Sequence, residues 1–214
     1  MPASRRTTVL VKVAVILVLL AGVAYLFMRS LDVTRAEPYT VRAEHLGSWA
    51  LTPDPGAEGD RAVLALAPPA ELPLRLFRQV FSRAGESLST PNMPGIALVL
   101  ASELAGTALP VDGLVALARE AGLDRARLSP RCMGYRRESQ PGSTRQLYFV
   151  LFDMPEFLAF RQALAARVTS PAGSPFTPEA LSPVMMLAAA PDFARWMPIV
   201  ANPERDCVAP VVAE

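Results

Sequence analysis

The chain has 214 residues but only one histidine and two cysteines, and this limits the chemistry open to it. A zinc site takes three or four ligands. His45 with the distant Cys132 and Cys207 makes a poor set, so no metal or cofactor is predicted. A Ser-His-Asp triad would have to use His45, and no G-x-S-x-G elbow is present. A lone histidine near the start of a domain reads as a surface or packing residue. Glu138, Asp153 and Glu179 qualify for acid–base work by chemistry alone, and Asp153 equally suits a helix cap. Arg125, Arg127, Arg131, Arg136, Arg137 and Arg145 crowd one stretch. They either face an anion such as phosphate or form a solvated hairpin edge, which charge protects from unwanted pairing. Cys132 and Cys207 either form a disulfide, as an exported domain permits, or stay separate thiols. Pro91-Asn92-Met93-Pro94 and Trp196-Met197-Pro198 set proline beside large apolar side chains, in a groove or in simple packing.

The elements that would position these residues begin with an anchor. Val9 to Met28 is a run of 20 residues, apolar except for Lys12, and a hydrocarbon core needs about that many. Lys12 lies one turn inside and can snorkel, and Tyr25 suits the far interface. Arg5 and Arg6 precede the run, while Arg29 beyond it is offset by Asp32 and Glu37. The positive-inside rule then keeps residues 1–8 in the cytoplasm and exports the rest, to the periplasm or the exterior. A cleaved signal peptide, cut near Ala21-Gly22-Val23-Ala24, is the alternative. The expected organisation is a cytoplasmic stretch at 1–8, an anchor at 9–28, a linker at 29–38 and one exported domain at 39–214.

Four basic residues lie in or beside the anchor. The remainder, 21 − 4 = 17, face 20 acidic residues, a net charge of −3. No nucleic-acid partner is expected from that balance, since such a surface is basic. The expected partners are the membrane and a protein or small ligand. The apolar fraction of 51% rules out a disordered chain.

Within the domain, Tyr39 to Leu51 is expected to hold a strand, followed by a turn at Pro53-Asp54-Pro55-Gly56. Ala62 to Leu66 reads as a buried strand and Ala70 to Arg83 as a helix, with Leu72, Leu76 and Val80 on one face. Ile96 to Leu100 is a strand or the start of a helix, and Val111 to Ala121 is a helix closed by Gly122. Arg131 to Glu138 and Gln146 to Phe152 form a hairpin around Gln140-Pro141-Gly142-Ser143. Both faces of its second strand are apolar, so that strand is central. Asp153 is expected to cap a helix bearing Phe157, Phe160, Leu164 and Val168, with Glu156 as capping-box partner. A loop at Thr169 to Pro178, a strand at Pro183 to Ala189 and a turn at Phe193 to Met197 follow. The order β-α-β-α-β-β-α-β, with a further leading strand, predicts an α+β fold with two similar strand–helix–strand halves.

Over about Arg61 to Met197 this order resembles the two-histidine phosphoesterases, the 2′-5′ RNA ligase-like group. That family has two lobes around a central groove, each supplying a His-x-Thr/Ser motif on a strand. Gly95-Ile96-Ala97-Leu98 resembles the first motif and Pro183-Val184-Met185-Met186-Leu187 the second. Gly95 and Val184 stand where the family has histidines, and Ala97 and Met186 where it has hydroxyls. None of these side chains can carry a proton or hold a phosphate. The resemblance therefore implies a degenerate relative that binds or scaffolds. An envelope hydrolase or cyclic phosphodiesterase-like enzyme with another site is the competing reading.

Overall fold

A computed structural model of the chain describes residues 3–47, 49–84, 87–91, 94–105, 107, 109–140, 143–168, 176–190 and 199–214. Trp196-Met197-Pro198, the expected Phe193–Met197 turn, Asn92-Met93, Pro141-Gly142 and most of the Thr169–Pro178 loop lie outside them.

Helix α1 (Ala3–Ala36) is a single rod of 34 residues, about 51 Å long. Its Lys12–Ala36 portion is long and apolar enough to cross a membrane, and its apolar window is not buried against the domain. The helix runs on through residues 29–36, which the sequence reading assigns to a linker. Nothing between Arg29 and Ala36 breaks a helix. Pro38 does, because it disfavours helical backbone at Glu37. The last turn of α1 is docked. Arg35 donates to the Ala84 carbonyl (3.3 Å) and lies over the Tyr135 ring.

The expected strand at Tyr39 to Leu51 divides into β1 (Tyr39–Val41), a 3-10 turn (Ala43–Leu46) and β2 (Ala50–Pro53). Trp49, between turn and strand, donates to the His45 carbonyl (2.9 Å) and packs edge-on against Phe152. Next come β3 (Ala62–Ala67), α2 (Glu71–Ala84), β4 (Ile96–Leu100) and α3 (Val111–Glu120). The long hairpin β5 (Ser129–Gln140) and β6 (Ser143–Asp153) leads to α4 (Pro155–Ala165) and β7 (Val184–Ala190). A short helix α5 (Pro203–Asp206) precedes two strands that the sequence reading does not find, β8 (Cys207–Ala209) and β9 (Val211–Ala213). Each has three residues, too few for alternation to register, and Pro210 separates them.

Asp153 does not cap α4. It ends β6 and meets Arg131 at 3.4 Å, while Met154 holds the N-cap position without a side-chain bond. Pro155, preset for the first helical position, starts the helix one residue later than the capping-box reading requires.

Seven strands form one antiparallel sheet in the order β2-β3-β4-β7-β6-β5-β8, and β1 pairs with β9 in a separate parallel ribbon. This is an α+β fold. Every residue of β4 and β7 is buried, as expected of central strands covered on both faces. β6 separates two cores. Tyr148, Val150 and Phe152 join the larger one, with Leu72, Leu76 and Val80 of α2, Leu114 of α3 and Phe157 and Phe160 of α4. Leu147, Phe149 and Leu151 join a smaller one with Val184, Met186 and Ile199 on the other face.

The larger core contains a charge. Arg161 of α4 is fully buried and pairs with Glu103 (2.6 Å). It also donates to the carbonyls of Leu98 (3.0 Å), Thr177 (3.0 Å) and Pro178. Its ring neighbours are Phe157 and Phe176.

Candidate functional site

The four motif positions fall on the two middle strands. Ile96 pairs with Met185, so the antiparallel register sets Ala97 beside Val184 and Gly95 beside Met186. Strand spacing then puts Gly95 and Val184 roughly 8 Å apart. On the same face Ala65 pairs with Ala97, Leu151 with Val184 and Phe149 with Met186. That face is apolar. Ala97, Val184 and Met186 are buried, and the segment Ile199–Ala201 packs against the β7 side of it.

Gly95 opens onto a cleft of about 260 Å³ lined by Ala62, Ala65, Ala67 and Pro94, with the Arg61–Asp54 ion pair at its rim. The glycine is required by close approach of the backbone. A Cβ there would lie 2.9 Å from the Leu66 carbonyl oxygen, which is held in the sheet and cannot yield cheaply. We expect Gly95→His to destabilise the domain by about 1–3 kcal/mol. Urea unfolding of the full chain in detergent reads this directly, and an unchanged midpoint would refute the steric account.

Around this face the other candidates scatter. Cys132 and Cys207 are joined in a disulfide with Cα atoms 5.7 Å apart, which ties β8 to β5. Glu138 and Asp153 lie toward opposite ends of the hairpin, opposite Arg145 and Ser129. Glu138 lies nine residue steps along the strand from Ser129, about 30 Å. Glu179 is exposed on another element, so the three carboxylates do not converge. Three of the clustered arginines part from one another. Arg125 is exposed beside Asp124, Arg131 meets Asp153, and Arg136 turns toward Asp206. Among the described residues no group of three or more His, Cys, Asp or Glu side chains could hold a metal.

Asp206 is a feature the sequence reading passes over. Its buried carboxylate accepts from Arg136, from Arg205 Nε (2.8 Å) and from the Asn202 N–H (2.9 Å). Burial opposes its ionisation. The hydrogen bonds from Arg205, Arg136 and Asn202 outweigh that and hold the carboxyl well below the usual carboxylate range. Arg136 also donates to the Val200 carbonyl (3.0 Å), so this knot fastens residues 200–206 to β5. A depressed pKa contributes stability that is complete above the unfolded value near 3.9. That stability is lost as pH falls toward the lower folded value. Acid unfolding of the parent should therefore steepen below about pH 4. Asp206→Asn should lose about 1–2 kcal/mol at neutral pH and lack that steepening. Parallel acid profiles of the two would disprove the assignment.

No family model, curated protein or solved structure matches the chain.

Proposed function

We propose that this chain is a membrane-anchored binding or scaffolding domain, built on the two-lobed plan of the two-histidine phosphoesterases but without their chemistry. The observation that carries this reading is the pairing of β4 with β7, antiparallel and side by side. It brings all four degenerate motif positions, Gly95, Ala97, Val184 and Met186, to one apolar face. The strand order lends further support. From β2 to β5 it reads β2-β3-β4-β7-β6-β5, so two units of strand, strand, helix, strand meet at their last strands. An acid–base pair at that junction would need groups that take up and release protons, and glycine, alanine, valine and methionine have none. The cleft beside Gly95 offers small apolar walls to an apolar side chain or ligand. Helix α1 supplies the anchor, with the domain on the non-cytoplasmic side.

The test uses the full chain in nanodiscs, assayed against 2′,3′-cyclic and linear phosphodiesters. No turnover above buffer is expected. Turnover that persists through purification and disappears when Val184 or Met186 is changed would replace the binding reading with catalysis. Retention of the chain in carbonate-washed membranes, with residues 39–214 open to protease only from the non-cytoplasmic side, checks the anchor.

A further inference from the structure

We propose that the cleft between β1 and α2 binds a phosphate group, carried by a lipid headgroup or by a soluble phosphate ester. The cleft measures about 540 Å³, many times the roughly 30 Å³ share of one water. Arg42, Arg75 and Arg78 line it with one acid, Glu71, while Glu44 and Glu214, outside the lining, pair with Arg42 and Arg75. Arg75 and Arg78 stand one turn apart on α2, and Arg42 approaches from the chain that leaves β1. Guanidinium groups arranged in this way suit the oxygens of a phosphate.

The walls are fixed. Gln79 accepts from the Thr40 N–H and donates to the Thr40 carbonyl, both at 2.9 Å, stapling β1 to α2. Arg75 donates to Thr40 Oγ1 (3.2 Å) and to Glu214 (2.9 Å). The other two arginines have little structural work. Arg78 is exposed and makes no ion pair or hydrogen bond among the described residues. Among the described residues the Arg42 side chain meets Glu44, at 3.4 Å, with both side chains more than half exposed, an arrangement that contributes little. His45 adds an imidazole whose Nε2 lies 3.6 Å from Glu44 and whose buried Nδ1 has no hydrogen-bond partner among the described residues.

Arg42 lies six residues beyond Ala36, a path of at most about 20 Å from the end of α1. The headgroup source rests on the anchor reading, whereas the soluble source is independent of it.

The experiment titrates the full chain in nonionic detergent with inorganic phosphate and with glycerol 3-phosphate, by calorimetry at constant ionic strength. Saturable binding is expected, weakened at least tenfold in the double variant Arg42→Ala/Arg78→Ala and unchanged in Arg125→Ala. The titration is then repeated in nanodiscs of phosphatidylcholine with and without phosphatidylglycerol. If phosphatidylglycerol abolishes glycerol 3-phosphate binding, the site takes a headgroup. If binding is unaffected, it takes a soluble ester. Absence of saturable binding in detergent, or equal affinity in the double variant, overturns the proposal. Failure of the chain to remain in carbonate-washed membranes removes only the anchor reading, because the detergent titration decides the site by itself.

Discussion

Arg161→Ala is expected to cost the domain about 3–5 kcal/mol, the range for breaking a buried ion pair from one side. The guanidinium is fully buried, and its removal leaves Glu103 with a side chain only 15% exposed and no countercharge. It also strips a donor from the carbonyls of Leu98, Thr177 and Pro178. Those carbonyls decide between two outcomes. Replacing a buried ion pair by apolar residues is often neutral. Here Arg161→Met/Glu103→Met would still leave backbone acceptors without their donor, at about 1–3 kcal/mol for each one left unsatisfied. The double variant should therefore remain clearly destabilised. Glu103→Ala alone should cost less than Arg161→Ala, because Arg161 keeps its carbonyl acceptors. Urea unfolding of the full chain, followed by near-UV circular dichroism, orders the variants. A methionine pair as stable as the parent would show that these carbonyl bonds contribute nothing. The consequence also touches the candidate site, since Leu98 belongs to the same strand as Ala97.

The second large effect belongs to the disulfide. Cys132 and Cys207 are 75 residues apart, and closing a loop of that size restricts the unfolded chain by about 4–5 kcal/mol in the entropic account. Losses on removing such bonds run about 2–5 kcal/mol. The variant Cys132→Ala/Cys207→Ala should fall in that range, and reduction of the parent should match it. Part of the native contact survives without the bond, because Gly134 still pairs with Cys207 and Met133 with Ala209. A cleavage assay separates the local effect from the global one. Residues 199–206, held by the Asp206 knot and by the Ser182–Ile199 backbone bond (2.9 Å), should become protease-sensitive before the hairpin does. An alanine variant that unfolds with the parent, and resists protease equally, would remove the bond from the list of stabilising features.

Residue patterns made the long elements legible. Leu72, Leu76 and Val80 predicted α2, and the doubly apolar run from Leu147 to Phe152 predicted a strand buried on both faces. Boundaries set by one residue were less legible. Asp153 and Glu156 had capping-box spacing, but Pro155 took the first helical position. Arg161 had the least visible role. It shares a face with Phe157 and Leu164, and an arginine in an apolar stripe normally snorkels rather than staying inside. Its partner Glu103 lies 58 residues away, so no local pattern points to it. The cleft around Arg42, Arg75 and Arg78 was hidden for the same reason. It forms where β1 is laid along α2, a contact between segments more than thirty residues apart.

The β1–β9 ribbon gives the chain a timetable. Tyr39 pairs with Val211 and Val41 with Ala213, so the first strand after α1 waits for a partner made much later. The interval is 211 − 41 = 170 residues, roughly 10–30 s at ordinary rates of synthesis. Throughout it Tyr39 and Val41, both buried in the finished fold, follow α1 without β9 to pair with. A ribosome that stalls before Val211 leaves a β3–β7 sheet that can assemble, next to a bare strand at the foot of the helix.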